Sequence, residues 1–186
     1  IDQFADLSER DSPTLIFDFL GWGKKPADFK ERQRKHVNDS FGHSFRMMAE
    51  SLSMPLDRVE TVSDYATARV RTKIAAGFLE PGTVAASRVT VTGYRGERAA
   101  MRFCSYFYAA SDVEQGWDLR PTGVRIQVQG DAPVNVDITF PIPAEDYRKV
   151  TPGLTAHPVV NAIPAVCAAA PGIRTAADLM VVPVFG

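Results

Sequence analysis

The chain has two cysteines and three histidines in 186 residues. Cys104 and Cys167 both sit in apolar surroundings, which excludes a disulfide framework, and the thiols are read as reduced. Neither sign of charge is in excess: 21 Lys and Arg stand against 22 Asp and Glu. A chain so balanced gives no reason to expect nucleic acid or an anionic membrane as a partner. Long hydrophobic runs are lacking as well. The longest stretch free of Asp, Glu, Lys, Arg and His, 158–173, is shorter than the roughly 18 apolar residues of a spanning helix, and proline interrupts it. No basic segment followed by an apolar one precedes the rest, so the expected compartment is the cytoplasm.

Missing motifs exclude further chemistry. No G-x-G-x-x-G follows a strand pattern and no Walker-type loop occurs, so the chain has no phosphate cradle of its own, and "YRGER" reads as a turn. No Ser-His-Asp or Cys-His arrangement is legible, and the acidic residues are dispersed. No catalytic residue is therefore nominated.

What is present points to an α+β domain. "IDQFADLS" alternates as a strand from residue 1, with no Met before it, and is read as a strand entered partway through a longer protein. Ser12 as N-cap, Pro13 at the first helical position and Gly21 and Gly23 as stops bound a short apolar helix. From Pro26 to about Ser53, Phe29, Val37, Phe41, Phe45, Met48 and Leu52 line one face of a long helix. Gly42 within it costs about 1 kcal/mol relative to Ala and marks a kink or a close contact. After Pro55, three stretches rich in Val, Ile, Thr and aromatics read as strands, with turns at Gly93 to Gly96 and Gly130 to Pro133. Short turns between consecutive strands predict an antiparallel meander. Val124, Ile126 and Val128 alternating with Arg125, Gln127 and Gln129 predict one buried and one wet face. Helical segments before and after the sheet give α+β order, and "PIPAEDYRKVTPG" reads as a linker to the last segment.

Several residues are candidates for a site. His36, Ser40 and Ser44 form a polar row beside the apolar stripe, suited to a pocket wall or to an ordinary helix boundary. His36, Asp39 and His43 lie on neighbouring turns, but zinc sites draw three or four ligands from more than one element, so no metal is expected. The basic residues of "KKPADFKERQRK" suit the wet face of a helix or a nucleotide phosphate. Trp22 and Trp117 are loop aromatics that fit a pocket lining, an interface or the edge of the core. In "HPVVNAIPAVCAAAPGI", Pro158 suits a first helical turn, Pro164 predicts a kink or break, and Asn161 is an amide in need of a partner.

Taken together, "GKKPADF", "SFGHSFRMMAESL", "FLEPGTVAASRVTVTGYRGER", "GWDL", "VQGDAPVNVDITFPIP" and "VNAIPAVCAAAPGIRTAADL" resemble the C-terminal domain of the dihydrodipicolinate reductase-like oxidoreductases. Within them the chain is most similar to the branch of 2,4-diaminopentanoate dehydrogenase and the native amine dehydrogenases. The resemblance spans nearly the whole chain, and its last motif is the most specific. It implies a single substrate-binding and dimerisation domain over 1–186, with a mostly antiparallel sheet and helices on one face. Residues 157–186 would return to an N-terminal Rossmann domain that this chain lacks. It further implies an NAD(P)-dependent enzyme acting on C–N bonds of a small amine or ketone, of amine dehydrogenase, diamine dehydrogenase or imine reductase type. NADP or NAD would be held mainly by the missing domain, the isolated chain would be inactive, and the complete enzyme would be a homodimer. Phe4, Asp6, His36, Ser40, Phe41 and Trp117 would line the substrate pocket, with Asn161 near the cofactor. The alternatives left open by the residues are a stand-alone small-molecule-binding module without catalysis and a domain for dimerisation alone.

Overall fold

A computed structural model describes residues 1–29, 42 and 44–175. They fall into two compact units, Ile1–Pro141 and Ile142–Gly186.

The first unit is built on a six-stranded sheet. Its strands are β1 (Asp2–Asp6), β2 (Arg58–Thr67), β5 (Val84–Arg95), β6 (Arg98–Tyr108), β7 (Gly123–Val128) and β8 (Val134–Thr139). The hairpin of β3 (Thr72–Ile74) and β4 (Gly77–Leu79) stands apart as a second sheet. The large sheet runs β2-β5-β6-β1-β7-β8. All of its pairs are antiparallel except β1 with β6. A simple meander is therefore corrected in one respect: the first strand lies between β6 and β7, which are not neighbours. The fold class is α+β with a mostly antiparallel sheet, as expected.

Two cores form toward the two ends of β5; along its regular part alternate side chains point to opposite faces, so Val89 and Val91 share one of them. At one end, Ile16, Trp22, Ile74, Leu79, Val84, Ala85 and Ala109 cluster. Here Thr14–Phe19 forms a π-helix, and the Leu15 N–H donates to Ser12 Oγ at 3.3 Å, the expected cap. Gly21 and Gly23 adopt φ of 73° and 77°, and Trp22 between them is 1 % exposed. Trp22 is thus a core residue.

At the other end helix α1, described over residues 44–51, lays Phe45 against Val89 and Val91, with Met48, Leu56 and Phe103 around them. Burying each large apolar side chain contributes about 1.5–3 kcal/mol. Three expectations change here. Pro26–Asp28 is a 3-10 turn, Leu52 is exposed, and among the described residues Gly42 marks no close contact, with nothing within 4 Å of a Cβ built on it. Gly93 does. It belongs to β5 rather than to the turn, and a Cβ there would lie 2.5 Å from Leu56 Cδ1 and 2.9 Å from Phe45 Cε1.

The buried-and-wet alternation fails at β7–β8. Val128, Val134, Val136 and Ile138 are all exposed, although they share the apolar face of the hairpin.

The second unit is chiefly helix α2 (Tyr147–Ala168). It starts inside the stretch read as a linker, and it runs through Pro152, Pro158 and Pro164 as one helix, without the expected break. Along it Val159, Val160 and Ile163 are exposed. No helix among the described residues is long and apolar enough to cross a membrane.

Candidate functional site

On the sheet face opposite α1, register lines up five strands. Asp64 of β2 pairs with Arg88 of β5, Arg88 with Tyr106 of β6, Tyr106 with Phe4 of β1, and Phe4 with Gly123 of β7. Directly opposed residues on one face stand about 4.5–5.5 Å apart, so their side chains meet. Gly123 keeps this row close to β8, because a Cβ there would collide with the Ile138 carbonyl oxygen.

The row combines an ion pair with aromatic walls. Arg88 Nη2 and Nε donate to Asp64 Oδ2 at 2.7 and 3.3 Å. Both nitrogens meet one carboxylate oxygen, and among the described residues Oδ1 is left for another donor. The Phe4 and Tyr106 rings stack with centroids 5.0 Å apart, and Trp117 meets Tyr106 edge-on at 6.1 Å. The Arg88 guanidinium lies 4.7 Å from the centroid of Trp117. Such cation–π contacts favour a partly desolvated arginine. Phe4 in the row is buried, whereas the side chains of Arg88 and Asp64 are 31 % and 42 % exposed. The polar part of the site is therefore open.

Electrostatics hold Arg88 charged. Burial works against the Arg88 charge, but hydrogen bonds with Asp64 and Tyr106 outweigh it, and the guanidinium pKa is raised. Burial pushes the Tyr106 phenol up, and its hydrogen bond with Arg88 draws it back only in part. Tyr106 thus stays a neutral O–H at physiological pH. On the next row Arg125 donates from Nε and Nη2 to the two oxygens of Asp137 at 2.7 and 3.1 Å.

Trp117 is brought to this row by the loop after β6. Val113 of that loop is buried beside Phe4 and Tyr108 and bridges to Ala68, and the Tyr108 O–H donates to the Arg120 carbonyl.

Of the residues proposed from sequence, Phe4 and Trp117 come together on Tyr106. Asp6 lies further along β1 on the same face, exposed, and its Oδ1 accepts the Ser8 N–H at 2.8 Å. His36, Ser40 and Phe41 lie outside the described residues, as do Asp39 and His43. Asn161 is on α2 in the second unit and is exposed, so water can satisfy its amide. Among the described residues no group of His, Cys, Asp and Glu is placed to hold a metal ion. Asp64, Arg88 and Tyr106 were not singled out from sequence. The one signal for them was Arg88 itself, a charge inside the apolar strand "TVAASRVTV".

A mostly antiparallel α+β domain with an aromatic-lined ion pair on its open face is the class that fold and site define. The sequence matches the model of the 2,4-diaminopentanoate dehydrogenase C-terminal domain over residues 16–185, and the chain belongs to that family. No curated protein matches it. Among solved structures it is similar to an amine dehydrogenase from Mycobacterium smegmatis, with a TM-score of 0.64 at 17 % identity over 96 % of this chain. The chain spans about half of that protein, 49 % of its length, and at this identity the likeness shows the fold.

Proposed function

We propose that the chain is the substrate-binding and dimerisation part of an NAD(P)-dependent oxidoreductase acting on C–N bonds, of amine dehydrogenase or imine reductase type. The observation that carries this reading is the row Asp64–Arg88–Tyr106–Phe4 under Trp117, in a chain of this dehydrogenase family. Aromatic walls exclude water from the alkyl part of an amine or ketone, while a few polar groups fix its orientation. Asp64 Oδ1 accepts from the substrate nitrogen, and Arg88 holds that carboxylate in place. We assign Asp6, His36, Ser40 and Phe41 to the same substrate pocket and Asn161 to cofactor binding, as the family resemblance implies.

The described residues do not fit the dinucleotide by themselves. No strand of this sheet leads through a glycine-rich turn into a helix N-terminus, the arrangement that holds a pyrophosphate. NAD or NADP is therefore assigned to a preceding Rossmann domain, and no step is routed through it. Exposed Val159, Val160 and Ile163 on α2 support a further domain as cover for this helix. The exposed Val128, Val134, Val136 and Ile138 support a homodimer contact on the β7–β8 face. Free Cys104 and Cys167 suit the reducing cytoplasm.

Kinetics of the complete enzyme test the site. Arg88→Met and Trp117→Ala are expected to lower kcat/KM for amine oxidation or ketone amination by about 10–100-fold, with the fold intact. Unchanged kcat/KM in both variants would remove this row from the active site.

A further inference from the structure

Trp117 overlies Arg88 from a loop, and loops ordinarily move more than the strands they connect. This one is tied down beside Trp117 around a buried threonine. Thr67, the last residue of β2, is 3 % exposed and follows an irregularity in the β2–β5 pairing between Ala66 and Thr67. That shift turns it away from the ladder and toward the loop. Thr67 Oγ1 donates to Glu114 Oε2 at 2.8 Å, and the Thr67 N–H donates to Gln115 Oε1 at 2.9 Å. The Glu114 N–H returns a bond to the Thr67 carbonyl at 2.9 Å, and Gln115 Nε2 donates to Thr67 Oγ1 at 3.3 Å. All three polar groups of one threonine are thus engaged by two successive loop residues. Between them and Trp117 stands only Gly116, at φ 63°, whose N–H closes a turn onto the Val113 carbonyl at 3.1 Å. Next to the knot, Arg69 donates from Nε to Asp112 Oδ1 at 2.9 Å and from Nη2 to the Val113 carbonyl at 3.0 Å.

We infer that Thr67 is a positioning residue: through Glu114 and Gln115 it fixes the Trp117 ring over Arg88, and so sets the size of the alkyl group that the row admits. This rests on the reading of the row as a substrate site. A buried hydroxyl whose bonds all go to one loop makes the loop part of the rigid scaffold. Trp117 then acts as a preformed wall, and selection by size follows from how closely that wall is held.

The test separates the knot from the fold. The protein is labelled with 5-fluorotryptophan, and the Trp117 resonance is assigned by its loss in Trp117→Phe. Thr67→Val keeps the shape of the side chain and removes the hydroxyl. The expected result is a shift or broadening of the Trp117 line alone, restored by Thr67→Ser, with the buried Trp22 line unmoved. Glu114→Ala, which removes the acceptor at an exposed position, gives the same readout if Thr67→Val does not fold. In the complete enzyme, Thr67→Val is expected to reduce the KM-based preference between butylamine and pentylamine about 10-fold, the scale of one methylene in a pocket, with kcat nearly constant. A Trp117 line that stays fixed in both variants overturns the inference. A line that moves while Trp117→Ala leaves all kinetics unchanged retains the positioning and rejects the substrate site.

Discussion

Gly93→Ala puts the packing of α1 on the sheet to a quantitative test. The added methyl would stand 2.5 Å from Leu56 Cδ1 and 2.9 Å from Phe45 Cε1, both inside normal contact. Leu56 is half-buried and can turn outward, but Phe45 is 2 % exposed and wedged against Val89 and Val91, so the ring cannot retreat. Overpacking of this kind costs about 1–3 kcal/mol, and with one of two neighbours able to yield, about 2 is expected. Against it stands the advantage of Ala over Gly within a strand, about 0.5–1 kcal/mol. The net loss is therefore about 1–1.5 kcal/mol, or roughly 2–6 °C in Tm for a chain of this size. Urea unfolding followed by the fluorescence of buried Trp22 measures it. Leu56→Ala in the same chain should relieve the clash, so that the double variant loses about 1 kcal/mol less than the sum of the single ones. A Gly93→Ala protein as stable as the parent, or strict additivity in the double variant, would refute the packing argument.

Other perturbations address other parts of the molecule. The hydrogen bond from Arg125 holds the Asp137 carboxyl below its ordinary range, so its contribution is present above the unfolded value near ~3.9 and is lost as pH falls through the lower folded one. Asp137→Asn should flatten the acid side of a Tm-against-pH curve below about pH 4 and change little near pH 7; an unchanged acid limb would contradict this. Trp22 Nε1 is buried with no partner among the described residues, and an unpaired donor costs about 1–3 kcal/mol. Trp22→Phe should therefore destabilise less than the usual loss of core volume, measured by urea midpoint. Val136→Lys, on the exposed apolar face of β8, should shift sedimentation of the complete enzyme toward monomer while leaving its circular dichroism unaltered.

The strands between 58 and 139 were legible because half-buried strands alternate, and a two-residue period survives in any register. Strand order was not. Nothing local in "IDQFADLS" tells that β1 pairs with residues about a hundred positions away on one side and on the other with β7. The site was legible to the same depth. Phe4 and Trp117 stand out as aromatics, but the alignment of Asp64, Arg88 and Tyr106 exists only once three strands have chosen their register. Trp22 was ambiguous for a different reason: two flanking glycines at positive φ turn a loop aromatic inward, and composition does not distinguish that from a pocket rim. In α2 the proline pattern predicted a kink or a break, and of the two the break is absent: prolines at three positions sit within one continuous helix. Each removes a donor locally without preventing the turns on either side.

The five residues of β1 have a consequence for how the molecule comes together. The β5–β6 and β7–β8 hairpins close over short turns and need nothing distant, whereas β1 must be captured by both at once across most of the first unit. Loop closure over such a span is slow to be rewarded, so the sheet should assemble as two separate leaves that are joined last. Once joined, every hydrogen bond linking the outer leaf to the rest of the sheet passes through this one short strand. Native-state hydrogen exchange would show it directly: the β7–β8 amides should open together with β1 and well before those of β5, as a single cooperative flap hinged on the second to sixth residues of the chain.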